Sequence, residues 1–355
     1  MNHPLLDLPP LTADRFASIE KRVADLLSTR QDVVVTQGEA LLPLEGCIRS
    51  GARPGSVALN VVTGPYGNTF GNWLRDCGAE VVDLVVPFDS AVSAERVAGA
   101  LAERPEISFV SLVHAEAATG NTNPVAEIGE VVRAHGALFM LDAVASVAAE
   151  PLLPDAWGVD LCVIGAQKAM GGPAGVSAVS VSERAWAAFA ANPAAPRRSY
   201  LSLLDWKERW IDGGRKTLLH APAQLEMLGL EACLERIGAE GLSAVTARHA
   251  GAAAAVRAGA EALGVAPYVT DPAAAAPVAT TLRVADAPAI AARVREAGVP
   301  VTAGSAEMLR VNHYGAAATR ETVRASLAAL AGALGRPETA VRAGLAAAEA
   351  AWPAA

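Results

Sequence analysis

A lysine that follows a buried strand is the residue of this sequence best placed to act as a nucleophile. Residues 161–164 form an apolar run with the length and β-branched content of a buried strand. Lys168 follows this run, and a Gly/Pro-rich bend at residues 171–173 comes next. An amine held there, partly removed from water, can attack a carbonyl carbon as a Schiff-base lysine does. The same position also suits a lysine whose stem carries its ammonium group out to water.

An aspartate that ends an earlier apolar run is the second candidate. Asp142 follows the segment GALFML and precedes Lys168 by 26 residues (168 − 142). A carboxylate at a strand end can pair with a protonated ring nitrogen, which makes a pyridine an electron sink. It can also cap a turn or helix. One strand-connection-strand step separates the two residues, so we expect both side chains at the same edge of a sheet.

Five further residues could bind a ring or a substrate. Tyr66 lies in a Gly/Pro-rich turn, where it can stack on a planar ring or pack on its own loop. Arg310 alternates with apolar residues in a short strand; facing inward it would hold a carboxylate bidentately, and facing outward it would be solvated. His114 and Glu116 precede the turn ATGNTN and could orient a ring hydroxyl or the substrate. His114 could instead be a buried histidine of the core. The same two interpretations, site residue or structural residue, apply to His220, which precedes an Ala-Pro pair.

The elements that must position these residues alternate between strands and helices. Strands are predicted at residues 32–37, 56–63, 80–86, 107–114, 137–141 and from 160 onward, and helices at 11–30, 42–51, 69–77, 93–104 and 124–135. This alternation predicts an α/β fold, a mainly parallel sheet covered by helices on both faces. Ligands of such sheets bind at the carboxyl ends of the strands. Glu39, Tyr66, Glu116, Asp142 and Lys168 all fall there.

The C-terminal part of the chain predicts a separate, smaller α+β domain. Helices are expected at residues 222–237, 240–263, 287–297 and 319–334, and strands at 280–284 and 308–312. We therefore divide the chain into a large domain, 1–238, and a small domain, 239–355. The alanine-rich tail after Gly335 is predicted to be a surface helix.

Composition excludes several classes of protein. A net charge of −8 argues against nucleic acid as a partner, since phosphate neutralisation needs clustered Lys and Arg. The four cysteines show no Cys-x-x-Cys spacing, so neither a metal site nor a disulfide framework is predicted. No apolar run approaches the roughly 20 residues of a membrane helix. The N-terminal segment MNHPLLDLPPLTADRF lacks the features of a signal peptide, and we expect a cytoplasmic protein.

Four motifs together resemble the class V aminotransferases of the alanine–glyoxylate type, which use pyridoxal phosphate on a type I fold. They are LDAVAS at 141–146, GAQK at 165–168, ATG at 118–120 and LRV at 309–311. The resemblance implies that Lys168 is the Schiff-base lysine, Asp142 the partner of the ring nitrogen and Arg310 the clamp for the substrate carboxylate. It also implies a homodimer with the site at the subunit interface. We further assign Gly38, Glu39, Ala40, Tyr66, Val144, Gln167 (beside the ring hydroxyl) and His220 to the cofactor, and Glu116 and Ala118 to the substrate.

Three longer runs, at residues 37–45, 64–73 and 181–206, resemble a branch of this family that takes unphosphorylated vitamin B6 as a substrate. The usual phosphate cup is a helix N-terminus with small hydroxyl residues. Here that turn reads Gly38, Glu39, Ala40, Leu41, and Ala221 stands where the family's partner subunit supplies a threonine. A carboxylate about 4 Å from one phosphate charge costs roughly 4 kcal/mol at an effective dielectric near 20, about a thousandfold in affinity. A neutral hydroxymethyl group could instead donate to Glu39; the alternative is an acidic residue that merely suits the helix dipole.

These observations predict an aminotransferase that acts on pyridoxal or pyridoxamine and a small 2-oxo acid such as pyruvate. The alternative is an ordinary pyridoxal-phosphate-dependent enzyme of the alanine/serine–glyoxylate type. A class V lyase or desulfurase needs a nucleophilic cysteine on a mobile loop, and all four cysteines lie in or next to predicted strands and helices. A regulatory B6-binding protein is disfavoured because no helix-turn-helix segment or basic arm is appended. Residues 303–307 lack the second arginine of the B6-substrate branch, which leaves the 2-oxo acid open.

Overall fold

The computed structural model describes residues 7–353, so the first six residues of the N-terminal segment and the last two of the tail lie outside it. The strands are β1 (Asp32–Gln37), β2 (Val57–Val62), β3 (Glu80–Val85), β4 (Ile107–Val113), β5 (Ala115–Glu116), β6 (Asn121–Thr122), β7 (Leu138–Asp142), β8 (Leu161–Gly165), β9 (Val176–Val181), β10 (Ala279–Arg283), β11 (Val301–Ala303) and β12 (Met308–Asn312). The helices are α1 (Ala13–Leu26), α2 (Leu41–Gly51), α3 (Pro65–Asp76), α4 (Ala94–Glu103), α5 (Val125–His135), α6 (Pro154–Trp157), α7 (Glu183–Ala190), α8 (Leu203–Trp206), α9 (Gln224–Glu240), α10 (Leu242–Ala262), α11 (Ala287–Glu296), α12 (Arg320–Ala333) and α13 (Glu338–Ala351). None of the helices between residues 7 and 353 has the length and apolarity to span a membrane.

A seven-stranded sheet in the order β1-β9-β8-β7-β4-β2-β3 forms the centre of the molecule. β9 runs antiparallel to both of its neighbours, and the pairs among β8, β7, β4, β2 and β3 are parallel. Strands β2, β7, β8 and β9 are buried along their whole length because helices cover both faces. The prediction of a mainly parallel, helix-covered sheet is confirmed. The carboxyl ends of β1, β2, β4, β7 and β8 meet at one edge.

Strand β9 was not predicted from the sequence. Its sequence, VSAVSV, places two serines three positions apart among apolar residues, and both faces of the strand are buried. Ser177 Oγ donates to the carbonyl of Gly38 at 2.8 Å, so the hydroxyl group is satisfied inside the protein. The short hairpin β5–β6 and strand β11 were also not predicted, because two or three residues carry too little periodicity to detect.

The turn predicted around Tyr66 is the first turn of helix α3. Gly64 is the N-cap and Pro65 the first helical residue. A proline costs nothing at that position, because its missing N–H would have no partner inside the helix. The Gly-Pro pair therefore marks a helix start, and Tyr66 is held by a helix rather than by a loop.

The C-terminal part contains a three-stranded antiparallel sheet in the order β10-β12-β11, covered by helices. Its apolar core, which includes Val256, Leu309 and Leu327, is separate from the larger core of the seven-stranded sheet. The boundary between residues 238 and 239 stays a prediction. Helix α13 of the alanine-rich tail buries Gly344 against α10, where a Cβ would lie 3.2 Å from the carbonyl oxygen of Gly259.

Candidate active site

The turn that follows β8 carries Lys168 at the carboxyl edge of the sheet. The side chain is half-buried, and its Nζ lies 5.3 Å from the centre of the Tyr66 ring. The N–H group of Gly171 donates to the carbonyl of Lys168 at 2.9 Å and closes the turn. Gly171 has φ +65°, a left-handed conformation that glycine adopts without strain. The amine is thus presented beside an aromatic ring by a turn of defined geometry.

Asp142 ends β7 and lies near Lys168. The carboxyl group is buried, and its Oδ1 accepts from the N–H group of Val144 at 2.9 Å. Burial raises the pKa of Asp142, while the Lys168 ammonium and the Val144 N–H group oppose that shift. A cationic partner nearby stabilises the charged form of such a buried carboxylate. The protonated nitrogen of a pyridine ring is such a partner.

Glu39 lies at the same edge, at the start of helix α2 and next to Gln167. Its Oε2 accepts from the N–H group of Leu41 at 2.8 Å, and its Oε1 accepts from Gln167 Nε2 at 2.6 Å. Glu39 is exposed, whereas Ala40 beside it is buried. The carboxylate therefore occupies the N-terminus of α2, the place where a helix ordinarily binds an anion from outside.

Charged groups from several elements surround the phenol of Tyr66. Burial raises the pKa of Tyr66, and the carboxyl groups of Asp142, Glu39 and Glu116 add to the shift, while Arg310 opposes it. These side chains come from β7, the start of α2, β5 and β12. The structure therefore brings together five of the predicted site residues around Tyr66, counting Lys168.

Glu116 lies next to the first turn of α3, the turn that carries Tyr66. It is fully buried, and a Cβ added to Gly64 would lie 2.3 Å from its carboxyl carbon. The N–H groups of Tyr66 and Gly67, in the first turn of α3, face the carboxyl group and favour its charged form. Burial and the charge of Asp142 outweigh them and raise the pKa of Glu116 to about 8. The carboxyl group thus lies against the start of the helix that holds Tyr66.

Arg310 lies in the middle of β12, between β10 and β11. Its Nη1 donates to the carbonyl oxygen of Ala117 at 3.4 Å. Arg310 therefore lies next to Ala118, the following residue. Its half-buried side chain lowers the pKa of Tyr66, so it faces the site rather than bulk solvent. No arginine occurs between residues 303 and 307, and Arg310 is the arginine that the structure brings to this edge beside Tyr66.

The two histidines lie farther from the lysine. Gln37 Nε2 donates to the carbonyl of Ala221 at 2.8 Å and lies 2.7 Å from His220 Nδ1, so His220 is joined to the site through Gln37. His114 is buried, with Nε2 at 3.3 Å from Glu150, and burial lowers the pKa of His114 to about 4. The structure places His114 in the core rather than at the site. Ser177, which supports Gly38, was missed because its strand was missed.

Three comparisons identify the family. The model of aminotransferase class V matches residues 7–332. The chain belongs to the class V aminotransferases. It is 35% identical over 339 residues to pyridoxamine–pyruvate transaminase of Mesorhizobium japonicum, covering 93% of this chain and 86% of that protein. It is 28% identical over 289 residues to alanine–glyoxylate aminotransferase of Drosophila melanogaster, covering 80% and 73%.

Solved structures agree with the sequence comparison. The crystal structure of pyridoxamine–pyruvate aminotransferase from Mesorhizobium loti matches with a TM-score of 0.89 at 33% identity, over 95% of this chain and 88% of that one. Alanine–glyoxylate aminotransferase from Nostoc sp. matches with a TM-score of 0.83 at 25% identity, over 92% and 90%. This class V chain therefore has the type I aminotransferase fold, is a transaminase and acts with a B6 vitamer. The predicted fold, family and enzyme class are confirmed.

Buried polar atoms without a partner show that the site suits such a ligand. Gln167 Oε1, both carboxyl oxygens of Glu116 and Arg310 Nε are buried and make no hydrogen bond of regular geometry. Leaving such atoms unpaired costs about 1–3 kcal/mol each. All three side chains lie around Lys168 and Tyr66, so the protein alone does not satisfy every polar group of this edge.

Proposed function

We propose that this transaminase moves an amino group between an unphosphorylated B6 vitamer, pyridoxamine or pyridoxal, and a small 2-oxo acid such as pyruvate. The observation that carries the proposal is the carboxylate of Glu39 at the N-terminus of α2. The named activity of the Mesorhizobium relative supports it.

Glu39 discriminates between the two forms of the vitamer by charge. At about 4 Å, a carboxylate and one phosphate charge repel by roughly 1 kcal/mol in water and roughly 4 kcal/mol at an effective dielectric of 20. Glu39 is exposed, so its effect lies nearer the first value for each phosphate charge. A hydroxymethyl group, by contrast, can donate a hydrogen bond to the same carboxylate. The N–H group of Leu41 is already bonded to Glu39 and is less available to a phosphate.

The other residues divide the remaining tasks. With the vitamer bound, Lys168 would supply the amine that condenses with the aldehyde of pyridoxal, with release of water, and would move a proton between carbon atoms. A bound B6 ring supplies an electron sink, and Asp142 keeps the ring nitrogen protonated so that the sink operates. Tyr66 stacks on the ring, with Gln167 beside the ring hydroxyl. Arg310 binds the carboxylate of the amino or 2-oxo acid.

A comparison of two vitamers tests the proposal. The protein is purified without added cofactor and titrated separately with pyridoxal and pyridoxal phosphate, with binding followed by absorbance. Pyridoxal is expected to bind more tightly, and the Lys168→Ala variant is expected to lose the covalent spectrum with either. Tighter binding of the phosphate form, or its stoichiometric copurification on Lys168, would mean an ordinary class V aminotransferase of the alanine/serine–glyoxylate type. The Drosophila relative is named for that activity.

We further propose that the chain works as a homodimer, as its resemblance to the family implies. Large apolar side chains are exposed at the start of α2, in the loop before α8 and at the start of α9: Leu41, Tyr200 and Leu225 are 39%, 63% and 47% exposed. Light scattering is expected to give twice the mass of one chain. A monomer at concentrations that support turnover would contradict this proposal.

A further inference from the structure

One face of helix α9 lies along the turn that carries Lys168. Glu226, Gly229, Cys233 and Arg236 follow one another at helical spacing and meet residues 170–175 in reverse order. A Cβ added to Gly175 would lie 2.7 Å from the carboxyl carbon of Glu226, and one added to Gly172 would lie 2.6 Å from the sulfur of Cys233. The contact is too close for larger residues, so the helix and the turn form one packed unit.

Arg236 provides the polar part of this contact. Its Nη2 donates to the carbonyl of Met170 and, at 3.3 Å, to that of Gly171. These carbonyls belong to the residues just after Lys168, in the part of the turn where Gly171 takes its left-handed conformation. The guanidinium group therefore fixes the backbone of the turn from the side of α9.

The segment that follows β12 meets the turn on the same side of Gly171 as Arg236: a Cβ added to Gly171 would lie 2.8 Å from Arg236 Nη2 and 3.4 Å from the Cα of Gly315. A Cβ added to Gly315 would lie 3.0 Å from the carbonyl oxygen of Lys168 and 3.0 Å from the Cα of Gly171. The N–H group of Gly315 donates to His249 Nε2 at 3.0 Å, and its carbonyl accepts from Arg248 Nη1 at 2.7 Å. These two hydrogen bonds hold Gly315 in place. The backbones of Gly171 and Gly315, which are 144 residues apart in sequence (315 − 171), are therefore in contact.

We propose that Arg236 is a positioning residue that sets the separation between Lys168 and Arg310. It holds the lysine turn by its carbonyl groups next to Gly315, and Gly315 is continuous with the strand that carries Arg310. A substrate whose reacting carbon lies at the lysine and whose carboxylate lies at the arginine must span this separation, so small displacements weaken productive binding. The inference rests on the roles proposed above for Lys168 and Arg310.

Hydrogen exchange on the ligand-free protein tests whether Arg236 holds the backbone of the turn that carries Lys168. Arg236→Met is expected to speed exchange of the Gly171 and Gly172 amides, which bond to the carbonyls of Lys168 and Ala166, by about tenfold. Arg236→Lys, which keeps one charged donor, is expected to fall between Met and wild type. Arg257→Met is the matched control, because Arg257 also donates to two carbonyls, those of Val269 and Thr270, away from the lysine turn.

Steady-state kinetics test whether Arg236 sets the separation between Lys168 and Arg310. The assay uses whichever form of the vitamer binds the wild-type protein. Arg236→Met is expected to raise KM for the 2-oxo acid by about tenfold, Arg236→Lys by less, and Arg257→Met not at all. Unchanged exchange at both glycines, or a KM within about twofold of wild type, overturns the proposal. A preference for the phosphorylated vitamer overturns the proposed function but leaves the exchange result valid, so the two failures are distinguishable.

Discussion

The helices α2 and α3 both direct their N-termini at the site, and each meets a carboxylate there, but the two carboxylates differ in origin and exposure. Glu39 comes from the residues that begin α2 and is exposed. Glu116 comes from β5, 52 residues after Gly64 (116 − 64), and is fully buried against the start of α3. The helix dipole favours a negative charge at both places.

The difference lies in the cost of desolvation. Water reaches Glu39, so its charge is available to repel a phosphate or to accept a hydroxyl group. Burial raises the pKa of Glu116 from 4.5 to about 8, so its charge depends on pH and on its neighbours Asp142 and Lys168. The exposed carboxylate is suited to select a ligand, and the buried one to hold Tyr66 in position.

The largest change is expected at the buried carboxyl group, that of Glu116. Below pH 4.5 Glu116 is protonated in both the folded and the unfolded chain. Between about pH 4.5 and 8 the unfolded chain loses this proton and the folded one keeps it, so stability falls as pH rises. Glu116→Gln removes this loss, and its free energy of unfolding relative to wild type should rise by on the order of 5 kcal/mol across that range. Urea denaturation of the ligand-free protein at several pH values measures the difference.

The control for Glu116 is an exposed glutamate at the end of α4. Glu103→Gln is compared with wild type under the same conditions. A difference between Glu116→Gln and wild type that stays constant with pH would show that the carboxyl group is not desolvated as the structure indicates.

The next effect tests the contact between Gly64 and Glu116. Gly64→Ala places a methyl group 2.3 Å from the carboxyl carbon, and the strain is expected to cost about 2–3 kcal/mol of stability. Combining it with Glu116→Ala should recover part of the loss, as a double-mutant cycle would show. Gly99→Ala in α4, where a Cβ meets nothing within 4 Å, serves as the control and should be neutral or stabilising. Additive losses in the double variant would contradict the contact.

A smaller effect is expected at the exposed carboxylate. Glu39→Ser removes the charge and adds a hydroxyl group at the N-terminus of α2, which favours a phosphate. The ratio of the Kd for pyridoxal phosphate to that for pyridoxal is expected to fall by about ten- to a hundredfold. Glu39→Gln, which removes only the charge, should show a smaller fall of the same sign. An unchanged ratio in both variants would remove Glu39 from the explanation of vitamer preference.

The smallest effect concerns the residue that orients Glu39. Gln167→Leu deletes the 2.6 Å hydrogen bond from Nε2 to Glu39 and should weaken pyridoxal binding by about fivefold, near 1 kcal/mol. The preference between vitamers should change less than in Glu39→Ser, because the charge remains. Isothermal titration with both vitamers separates the two quantities; a larger loss of preference than of affinity would refute this ordering.

Local sequence patterns predicted most of the elements around the site. The alternation of strands and helices and the positions of Lys168 and Asp142 at strand ends follow from hydrophobic periodicity, which depends only on neighbours in the chain. The same reasoning failed for β9, whose buried serines break the apolar run, and for Tyr66, whose Gly-Pro pair begins a helix. The burial of β9 depends on distant parts of the fold, whereas the helix start at Pro65 is a local signal that was read as a turn.

Local patterns in the sequence therefore predicted the groups at the site: an amine, a carboxylate and a tyrosine that follow the ends of predicted strands. They also predicted that Glu39 lies at the start of a helix, because a helix start is a local feature. Only the tertiary structure decided that Glu116 packs on Gly64 and that Gly171 meets Gly315. Such contacts join residues far apart in sequence and exist only once the chain has folded. The burial of Glu116, which raises the pKa of its carboxyl group, and the position of the turn that carries Lys168 depend on them.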